Sequence, residues 1–322
     1  MDWGVILDDT LRGAVGISAI LYAIGAIGLN VHFGYTGLIN FGQVAFMAAG
    51  SYGMAISINQ WDLPLWGGWL FGIGSAVVLA LLLGIPTLRL RADYLAIVTI
   101  AVGEIIRNVV RADRYREVTG GPRGIFSFAD GFRDLNPLPD GQYGFGPLRY
   151  GSDQMFFRLT GWGLALLMVL VVWLLMRSPW GRVIKSIRDD EDAVRSLGKN
   201  AYGYKLQALI VGGVIAAIGS MFVDSADNEV GQLSFRPTTT FYLYVVLILG
   251  GAGRVWGPVI GSMIFWGMSQ FIDGVLTQGD IVETQDVGDV RTMLIGAALV
   301  SLVIWRPQGI FGDKREIALE VR

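Results

Sequence analysis

Nine apolar runs follow one another along the sequence and are separated by polar segments. They lie at 13–32, 35–58, 65–86, 94–110, 159–176, 206–224, 240–254, 258–273 and 292–305. A helix needs about 20 apolar residues to cross a bilayer, so 240–254 and 292–305 are short for full crossings. Only 16% of the residues are charged, against about 25% in soluble domains. The sequence therefore predicts an all-α, polytopic transmembrane bundle of about nine (8–10) spans, in a single domain over residues 1–322.

Several chemistries are excluded by residues that the sequence lacks. It has no cysteines, which excludes disulfides, thiolate metal sites and thiol nucleophiles. His32 is the single histidine, so neither a histidine metal cluster nor a serine triad is indicated. No P-loop for ATP is present, and the net charge of −2 does not favour binding to nucleic acid. We therefore expect a transporter or channel component rather than an enzyme, with no catalytic residue, metal site or cofactor of its own.

The distribution of lysine predicts the orientation in the membrane. Lys185, Lys199, Lys205 and Lys314 all fall in loops that the order of the spans assigns to one side. Because Lys and Arg are enriched in cytoplasmic loops, we expect the N-terminus outside and the C-terminus in the cytoplasm. The arginine-rich segment 107–158 falls on the outer side, which is tolerated because long loops translocate largely regardless of charge. The first residues are acidic rather than basic, so 13–32 is interpreted as a retained span of a plasma-membrane or inner-membrane protein.

Two segments outside the apolar runs are long enough to carry structure of their own. Residues 111–158 are rich in Gly, Pro, Asp and Arg and predict an ordered outer loop with turns at 119–124 and 136–141. Residues 177–205 predict a cytoplasmic loop that contains a short helix over 189–198.

The short helix has end signals and one apolar side. Asp189 is the expected N-cap, and Asp190, Glu191 and Asp192 suit the positive end of the helix dipole. Gly198 suits the left-handed position after the last turn. The apolar side consists of Ala193, Val194 and Leu197. Isolated helices shorter than about 12 residues are marginal in water, so we expect this one to dock on a partner; a solvated loop is the alternative.

The stretch GYTGLINFGQVAFMAAGSYG, residues 34–53, combines apolar character with glycines and amides. On a helix, Thr36, Asn40 and Gln43 would share one face. Polar groups in hydrocarbon need partners or water, so this face either lines a translocation path or bridges helices. Ala45, Ala49 and Gly53 lie on the other side and predict a close helix contact. Residues 250–262 form a similar glycine-rich entry into a span, which suggests a weak internal repeat.

Glu104 is the acid that the apolar runs bury most clearly, within 94–110. Ionisable residues inside a membrane are functional candidates, and Arg107 one turn later is the expected partner. The pair either tethers the fourth span or belongs to the translocation path. Since secondary transporters coupled to ions usually need more buried charges, a single one argues against that class.

The order of the motifs resembles one known family. GYTGLINFGQVAFMAAGSY (34–52), LRLRADYLAIVTIAVGEIIR (88–107), TGGPRGI (119–125), WGRVIKSIRDDEDAVRSLGKNAYGYK (180–205), LILGGAGRVWGPVIGS (247–262) and WRPQGIFG (305–312) follow one another. They are similar to motifs of the LivM-type permeases of branched-chain amino acid ABC importers, over about residues 15–312. Two departures are Lys199, where relatives often have an apolar residue, and a distinct outer loop between Ala129 and Tyr150.

The resemblance implies a function and partners. The helix at 189–198 would be the coupling helix, seated on a cytoplasmic ATP-binding subunit. Two such subunits would bind ATP and Mg, and a second homologous permease and an extracytoplasmic binding protein would complete the importer. The substrates would be branched-chain amino acids, with urea or short-chain amides as the alternative in the same fold. An ion-coupled secondary transporter is the alternative outside it.

Overall fold

The computed structural model describes residues 2–88, 92–279, 286–305 and 309–310. Lys314, residues 89–91 of the second motif and most of the last motif lie outside these ranges. The helices are α1 (Trp3–Ala14), α2 (Ile17–Leu29), α3 (Gln43–Trp61), α4 (Leu65–Thr87), α5 (Ala92–Arg111), α6 (Arg116–Thr119), α7 (Asp130–Arg133), α8 (Ser152–Arg177), α9 (Pro179–Asp189), α10 (Glu191–Ser196), α11 (Ala201–Asp227), α12 (Pro237–Gly250), α13 (Gly257–Gln278) and α14 (Val287–Trp305). A π-helix (Asn30–Tyr35) continues α2, and short 3₁₀-helices cover Asp113–Tyr115, Gly121–Arg123 and Gln232–Phe235.

Each of the nine apolar runs contains a helix, but fewer helices meet a length and hydropathy criterion for a membrane span. Among the described residues, five segments meet it: Trp3–Tyr35, Leu65–Thr87, Ser152–Arg177, Ala201–Asp227 and Gly257–Gln278. Pro237–Gly250 is apolar but shorter. The other runs contain polar, glycine or charged residues, as in α5 with its Glu104–Arg107 pair. The multi-pass helical class is therefore confirmed, whereas the count of about nine spans is not.

Two predicted helix boundaries are wrong. The run at 13–32 was expected to form one helix, but the chain breaks between Ala14 and Ile17, and α1 precedes the break. The helix expected over 35–58 begins only at Gln43. Residues 37–40 are not helical, and Gly37 has a φ of 72°, which is left-handed and favours glycine.

The core of the bundle is built around α11, which packs against α2, α3 and α4. A Cβ placed on Gly50 of α3 would lie 2.6 Å from the Cβ of Ala217 in α11, so the two helices touch at small residues. A Cβ on Gly53 would lie 2.5 Å from the Ser75 hydroxyl of α4. The close contact predicted for this side of α3 is therefore present at Gly53, although α3 also needs Gly50 to meet α11.

The segment 111–158, predicted to be an ordered loop, contains short strands and turns, whereas its position on the outer side stays a prediction. Strand β1 (Ile125–Phe126) pairs antiparallel with β4 (Glu229–Val230), and β2 (Gln142–Tyr143) pairs antiparallel with β3 (Tyr150–Gly151). The turn at 119–124 has Gly120, Gly121 and Gly124 at φ values of 73°, 60° and 87°. Because α8 begins at Ser152, the loop ends before the predicted residue 158.

The connections between helices meet at two opposite ends of the bundle. At the first end, the Arg188 Nη1 donates to the Gly34 oxygen (2.6 Å), and Tyr202 donates to the Ile85 oxygen (3.1 Å). This end, with residues 178–200, is called the coupling end below. At the other end, the Arg12 Nε donates to the Pro147 oxygen (2.7 Å). This end, with residues 112–151, is called the loop end.

Candidate functional site

A buried network of hydrogen bonds is centred on Asn40, in the non-helical entry to α3. The Asn40 amide nitrogen donates to the Gln43 side-chain oxygen (2.9 Å) and lies 3.1 Å from the His32 Nδ1. The Asn40 side-chain oxygen accepts from the Gly42 N–H at 2.9 Å. Asn40, Gln43 and His32 are all fully buried. The break before α3 therefore places two amides and an imidazole in contact, which a continuous helix would not do.

The network reaches two other helices. The Gln43 amide donates to the Gly212 oxygen (3.2 Å), and the His32 Nε2 lies 3.0 Å from the Leu209 oxygen, both in α11. The Tyr244 hydroxyl of α12 accepts from the Asn40 N–H (3.0 Å) and donates to the Asn40 oxygen (3.1 Å). These bonds tie the entry to α3 to both α11 and α12.

Thr36 does not belong to this network. Its hydroxyl donates to the Val31 oxygen of the preceding π-helix at 2.7 Å. The expectation that Thr36, Asn40 and Gln43 share one helical face is therefore wrong, because Gly37 and its neighbours leave the helix. Sequence reasoning also missed His32 and Tyr244, and no local spacing indicates that they meet Asn40.

Glu104 and Arg107 form the expected ion pair. The Arg107 Nη2 lies 2.7 Å from the Glu104 Oε2, and the Arg107 Nε lies 3.1 Å from the other carboxylate oxygen. The side chains are 32% and 20% exposed for Glu104 and Arg107. Arg107 also reaches the Gln232 side-chain oxygen at 3.5 Å, which connects α5 to the 3₁₀-helix after α11. The pair thus has the geometry of a tether and is still partly accessible.

Asp224 is a buried acid that the sequence analysis missed. It is 7% exposed in α11, and its Oδ2 has no hydrogen-bond partner among the described residues. The buried Tyr52 hydroxyl of α3 is likewise without one in the described ranges. Asp224 closes the predicted run 206–224, where an acid looks like an ordinary boundary residue. Glu104 is therefore not the most buried acid among the described residues. The argument against an ion-coupled transporter assumed that Glu104 is the single buried acid, and this assumption is wrong.

The helix predicted at 189–198 is present, but it is shorter and capped differently. Asp189 is the last residue of α9, and α10 begins at Glu191. Asp190 is the N-cap, since its carboxylate accepts from the Ala193 N–H at 2.9 Å. Gly198 has a φ of 74°, as expected for the residue that ends this segment. Glu191 pairs with Arg195 (2.7 Å) and with Lys205 of α11.

The apolar side of this segment is partly buried in the protein and partly exposed. Val194 is buried and packs with Ile187 and Ala201. Leu197 is 80% exposed, and Ala193 and Asp192 are exposed as well. Leu197 is therefore accessible to another protein, while Val194 is not.

The α9–α10 pair is joined to the π-helix that leads into the Asn40 network. Besides the Arg188–Gly34 bond, the Lys185 ammonium lies 5.6 Å from the centre of the Tyr35 ring. Asn30 begins the π-helix and accepts from the Gly253 N–H (2.9 Å) while it donates to the Arg254 oxygen (2.8 Å). A Cβ on Gly34 would lie 2.5 Å from the Gly253 nitrogen, so the two glycine-rich entries, 34–53 and 250–262, are in contact, although an internal repeat stays a prediction. Irregular π-helical turns are frequent at functional sites.

Comparison with known proteins identifies the family. A family model described as "Branched-chain amino acid transport system / permease component" matches residues 13–303. The chain belongs to this family. The high-affinity branched-chain amino acid transport permease protein LivM of Escherichia coli (strain K12) is 30% identical over 311 residues, which cover 93% of this chain and 70% of the relative. Its Salmonella typhimurium counterpart is 30% identical over 312 residues with the same coverage.

A more distant relative covers nearly the whole of both chains. The probable LivM permease of Methanocaldococcus jannaschii is 22% identical over 339 residues, 91% of this chain and 91% of the relative. The resemblance to LivM-type permeases is therefore confirmed. In the present chain, two of the motifs quoted above are in contact. The motif 180–205 includes most of α9 and all of α10, and its Arg188 donates a hydrogen bond to Gly34 of the motif 34–52.

Proposed function

We propose that this chain is the membrane-spanning permease subunit of an ATP-driven ABC importer for branched-chain amino acids. The family match over 13–303 and the LivM relatives support the substrate class and the permease role. ATP and Mg are bound by partner subunits, and this chain contributes the path across the membrane. The importer contains a second homologous permease, two ATP-binding subunits and an extracytoplasmic substrate-binding protein.

The observation that carries the proposal is the exposed Leu197 on a segment joined to the membrane core. Val194 and the Glu191–Lys205 pair hold α10 against α9 and α11. Leu197 extends away from the bundle and is 80% exposed. We propose that Leu197, Ala193 and the first acidic turn form the surface that docks on an ATP-binding subunit. Closure of the two ATP-binding subunits then moves α10, and α9 transmits the movement through Arg188.

The proposed orientation puts the coupling end in the cytoplasm and the loop end outside. Lys185, Lys199 and Lys205 all lie at the coupling end, which agrees with the enrichment of positive charge in cytoplasmic loops. The N-terminal helix α1 reaches the loop end through the Arg12–Pro147 bond, which supports an external N-terminus. The C-terminal tail is proposed to be cytoplasmic.

The proposed translocation path runs beside Thr36, Asn40, Gln43, Glu104 and Arg107. The Asn40 and Gln43 side chains are occupied by protein partners in this conformation. We therefore propose that these two amides brace the path and exchange partners when the bundle rocks. The partly exposed Glu104–Arg107 pair supplies charge to it, as does Asp224, whose Oδ2 has no hydrogen-bond partner among the described residues.

Transport by the assembled importer tests the proposal. The chain is reconstituted in proteoliposomes with its partner permease, ATP-binding subunits and binding protein, and uptake of labelled leucine, isoleucine and valine is measured with and without ATP. ATP-dependent uptake of these amino acids is expected. Uptake of urea or amides instead would refute the substrate class. Uptake by this chain alone under an ion gradient would refute the ABC mechanism.

A further inference from the structure

A cavity of about 300 Å³ lies beside the break between α1 and α2. α8 and α13 complete its walls with Arg158, Trp266 and Gln270, while α1 contributes Asp9 and Arg12. It lies towards the loop end, because Arg12 also contacts the Pro147 oxygen there. Its volume is near the lower limit of small-molecule sites, which span about 300–1,000 Å³. No residue that lines this cavity belongs to the Asn40 network or to the coupling end.

Two arginines line this cavity, and neither has a carboxylate within ion-pair distance in the described part of the chain. The Arg12 Nε donates to the Pro147 oxygen, and the Arg158 Nη1 donates to the Gln154 oxygen at 3.0 Å. The Arg158 guanidinium stacks on the Tyr150 ring, 3.8 Å from its centre. These contacts hold the guanidinium groups in place but leave most of their N–H donors for a ligand, since each guanidinium has five.

The two guanidinium groups share one cavity and repel each other. An oxyanion placed between them removes this repulsion, because its oxygens accept from N–H donors of both arginines.

A negatively charged side chain in the same cavity restricts the class of ligand that can bind. Asp9 lines the cavity together with Gln270, and their oxygens are acceptors. A simple anion would be repelled by the Asp9 carboxylate, whereas a zwitterion would place its ammonium there and its oxyanion between the arginines. The helix beside it, α1, exposes Leu7 and Leu11, which suits contact with lipid.

We propose that this cavity binds a zwitterion through its oxyanion, held by Arg12 and Arg158, with the ammonium facing Asp9 and Gln270. Two sources have this chemistry. One is a phosphoethanolamine headgroup of a phospholipid in the leaflet next to the loop end, and Trp is common at that depth. The other is a free amino acid in transit, and only this second source rests on the proposed transport function.

Binding to the full chain in detergent tests the proposal and separates the sources. Native mass spectrometry measures retention of phosphatidylethanolamine against phosphatidylcholine, and equilibrium dialysis measures labelled leucine. The variants are Arg158→Gln, Arg12→Gln, and Arg12→Gln with Arg158→Gln. Arg177→Gln is the matched control: it lies on α8 too, and its guanidinium stacks on Trp173 at 4.0 Å.

We expect the arginine variants to weaken binding of one ligand about tenfold or more, since a tenfold change is about 1.4 kcal/mol, within the strength of a charged hydrogen bond. Arg12→Gln alone should leave the fold intact because Arg12 is exposed, which keeps the test valid if Arg158→Gln fails to fold. Loss confined to the phospholipid identifies a headgroup, and loss confined to leucine identifies the substrate. Unchanged binding of both ligands in the arginine variants would overturn the proposal. Absence of leucine, isoleucine and valine uptake by the wild-type importer would instead refute the proposed function and leave the phospholipid result valid.

Discussion

The Arg188 guanidinium donates a hydrogen bond of 2.6 Å to the backbone oxygen of Gly34. A backbone oxygen accepts whatever side chain Gly34 has, so the bond depends on Arg188 alone. A Cβ on Gly34 would clash with Asn30 and Gly253, which explains why glycine suits this position. The contact links α9 to the π-helix, and the π-helix leads directly into the Asn40 network.

Replacing Arg188 with alanine should impair coupling without removing the ATP-binding partners. We expect uptake to fall several-fold while ATP hydrolysis by the assembled complex continues, because α10 still docks but α9 no longer holds the π-helix. The lost hydrogen bond should change the free energy of unfolding by only about 1 kcal/mol. Uptake and hydrolysis are measured together in proteoliposomes. Lys199→Ala, an exposed residue of the same segment, is the control and should leave both rates unchanged.

Leu197→Glu should weaken docking of the ATP-binding subunit. Burying a leucine side chain contributes about 1.5–3 kcal/mol, so its loss weakens the complex about tenfold to hundredfold. The fold should be unaffected, because Leu197 is 80% exposed. Affinity is measured by titrating purified ATP-binding subunits onto the permease in nanodiscs. Leu197→Met preserves apolar area and should bind normally; equal affinities for the Glu and Met variants would remove Leu197 from the interface.

Asp190 and Asp189 should behave differently although they are neighbours. Only Asp190 accepts from the Ala193 N–H, and removal of an N-cap costs about 0.5–2 kcal/mol. We expect Asp190→Ala to speed amide hydrogen exchange in α10 about tenfold, since 1.4 kcal/mol is a factor of ten. Asp189→Ala should leave exchange of those amides unchanged. If only the Asp189 variant exchanged faster, Asp189 rather than Asp190 would be the N-cap, as the sequence predicts.

Asn40→Leu should destabilise the bundle. The substitution leaves the Tyr244 hydroxyl with its backbone bonds but removes the Asn40 partner of the Gln43 side-chain oxygen and of the His32 Nδ1. A buried polar group without a partner costs about 1–3 kcal/mol, so the melting temperature in detergent should fall by several degrees. Thr36→Val is the comparison, because the Thr36 hydroxyl bonds only within its own turn and its loss should be milder. An Asn40→Leu variant as stable as wild type would show that the network does not brace the entry to α3.

Glu104→Gln should reduce stability more than it changes substrate preference. The Glu104–Arg107 pair is partly exposed, so its loss should cost about 1 kcal/mol or less. The test measures the melting temperature and the relative uptake of leucine, isoleucine and valine. Exchanging the two charges, Glu104→Arg with Arg107→Glu, should recover part of the stability. A change in preference at unchanged stability would instead assign Glu104 to the path.

Properties set by a few neighbouring residues could be predicted from the sequence. The runs at 65–86 and 206–224 lie within α4 and α11, because hydrophobicity and length belong to the segment itself. The glycine turn at 119–124 and the left-handed Gly198 follow from glycine's lack of a Cβ. The Glu104–Arg107 pair follows from helical spacing. The family resemblance also rests on motifs that are continuous in sequence.

Only the tertiary structure decided the Asn40 network, the cap at Asp190 and the burial of Asp224. Gly212 and Tyr244 are more than 160 residues from their partners Gln43 and Asn40, and no local spacing predicts such contacts. Both Asp189 and Asp190 are suitable caps by residue type, and the extent of α9 determines which of them is used. Asp224 ends an apolar run and becomes buried only because α11 packs along α3. Local propensity acts within a turn or a helix, whereas burial and polar partners depend on which distant helices meet.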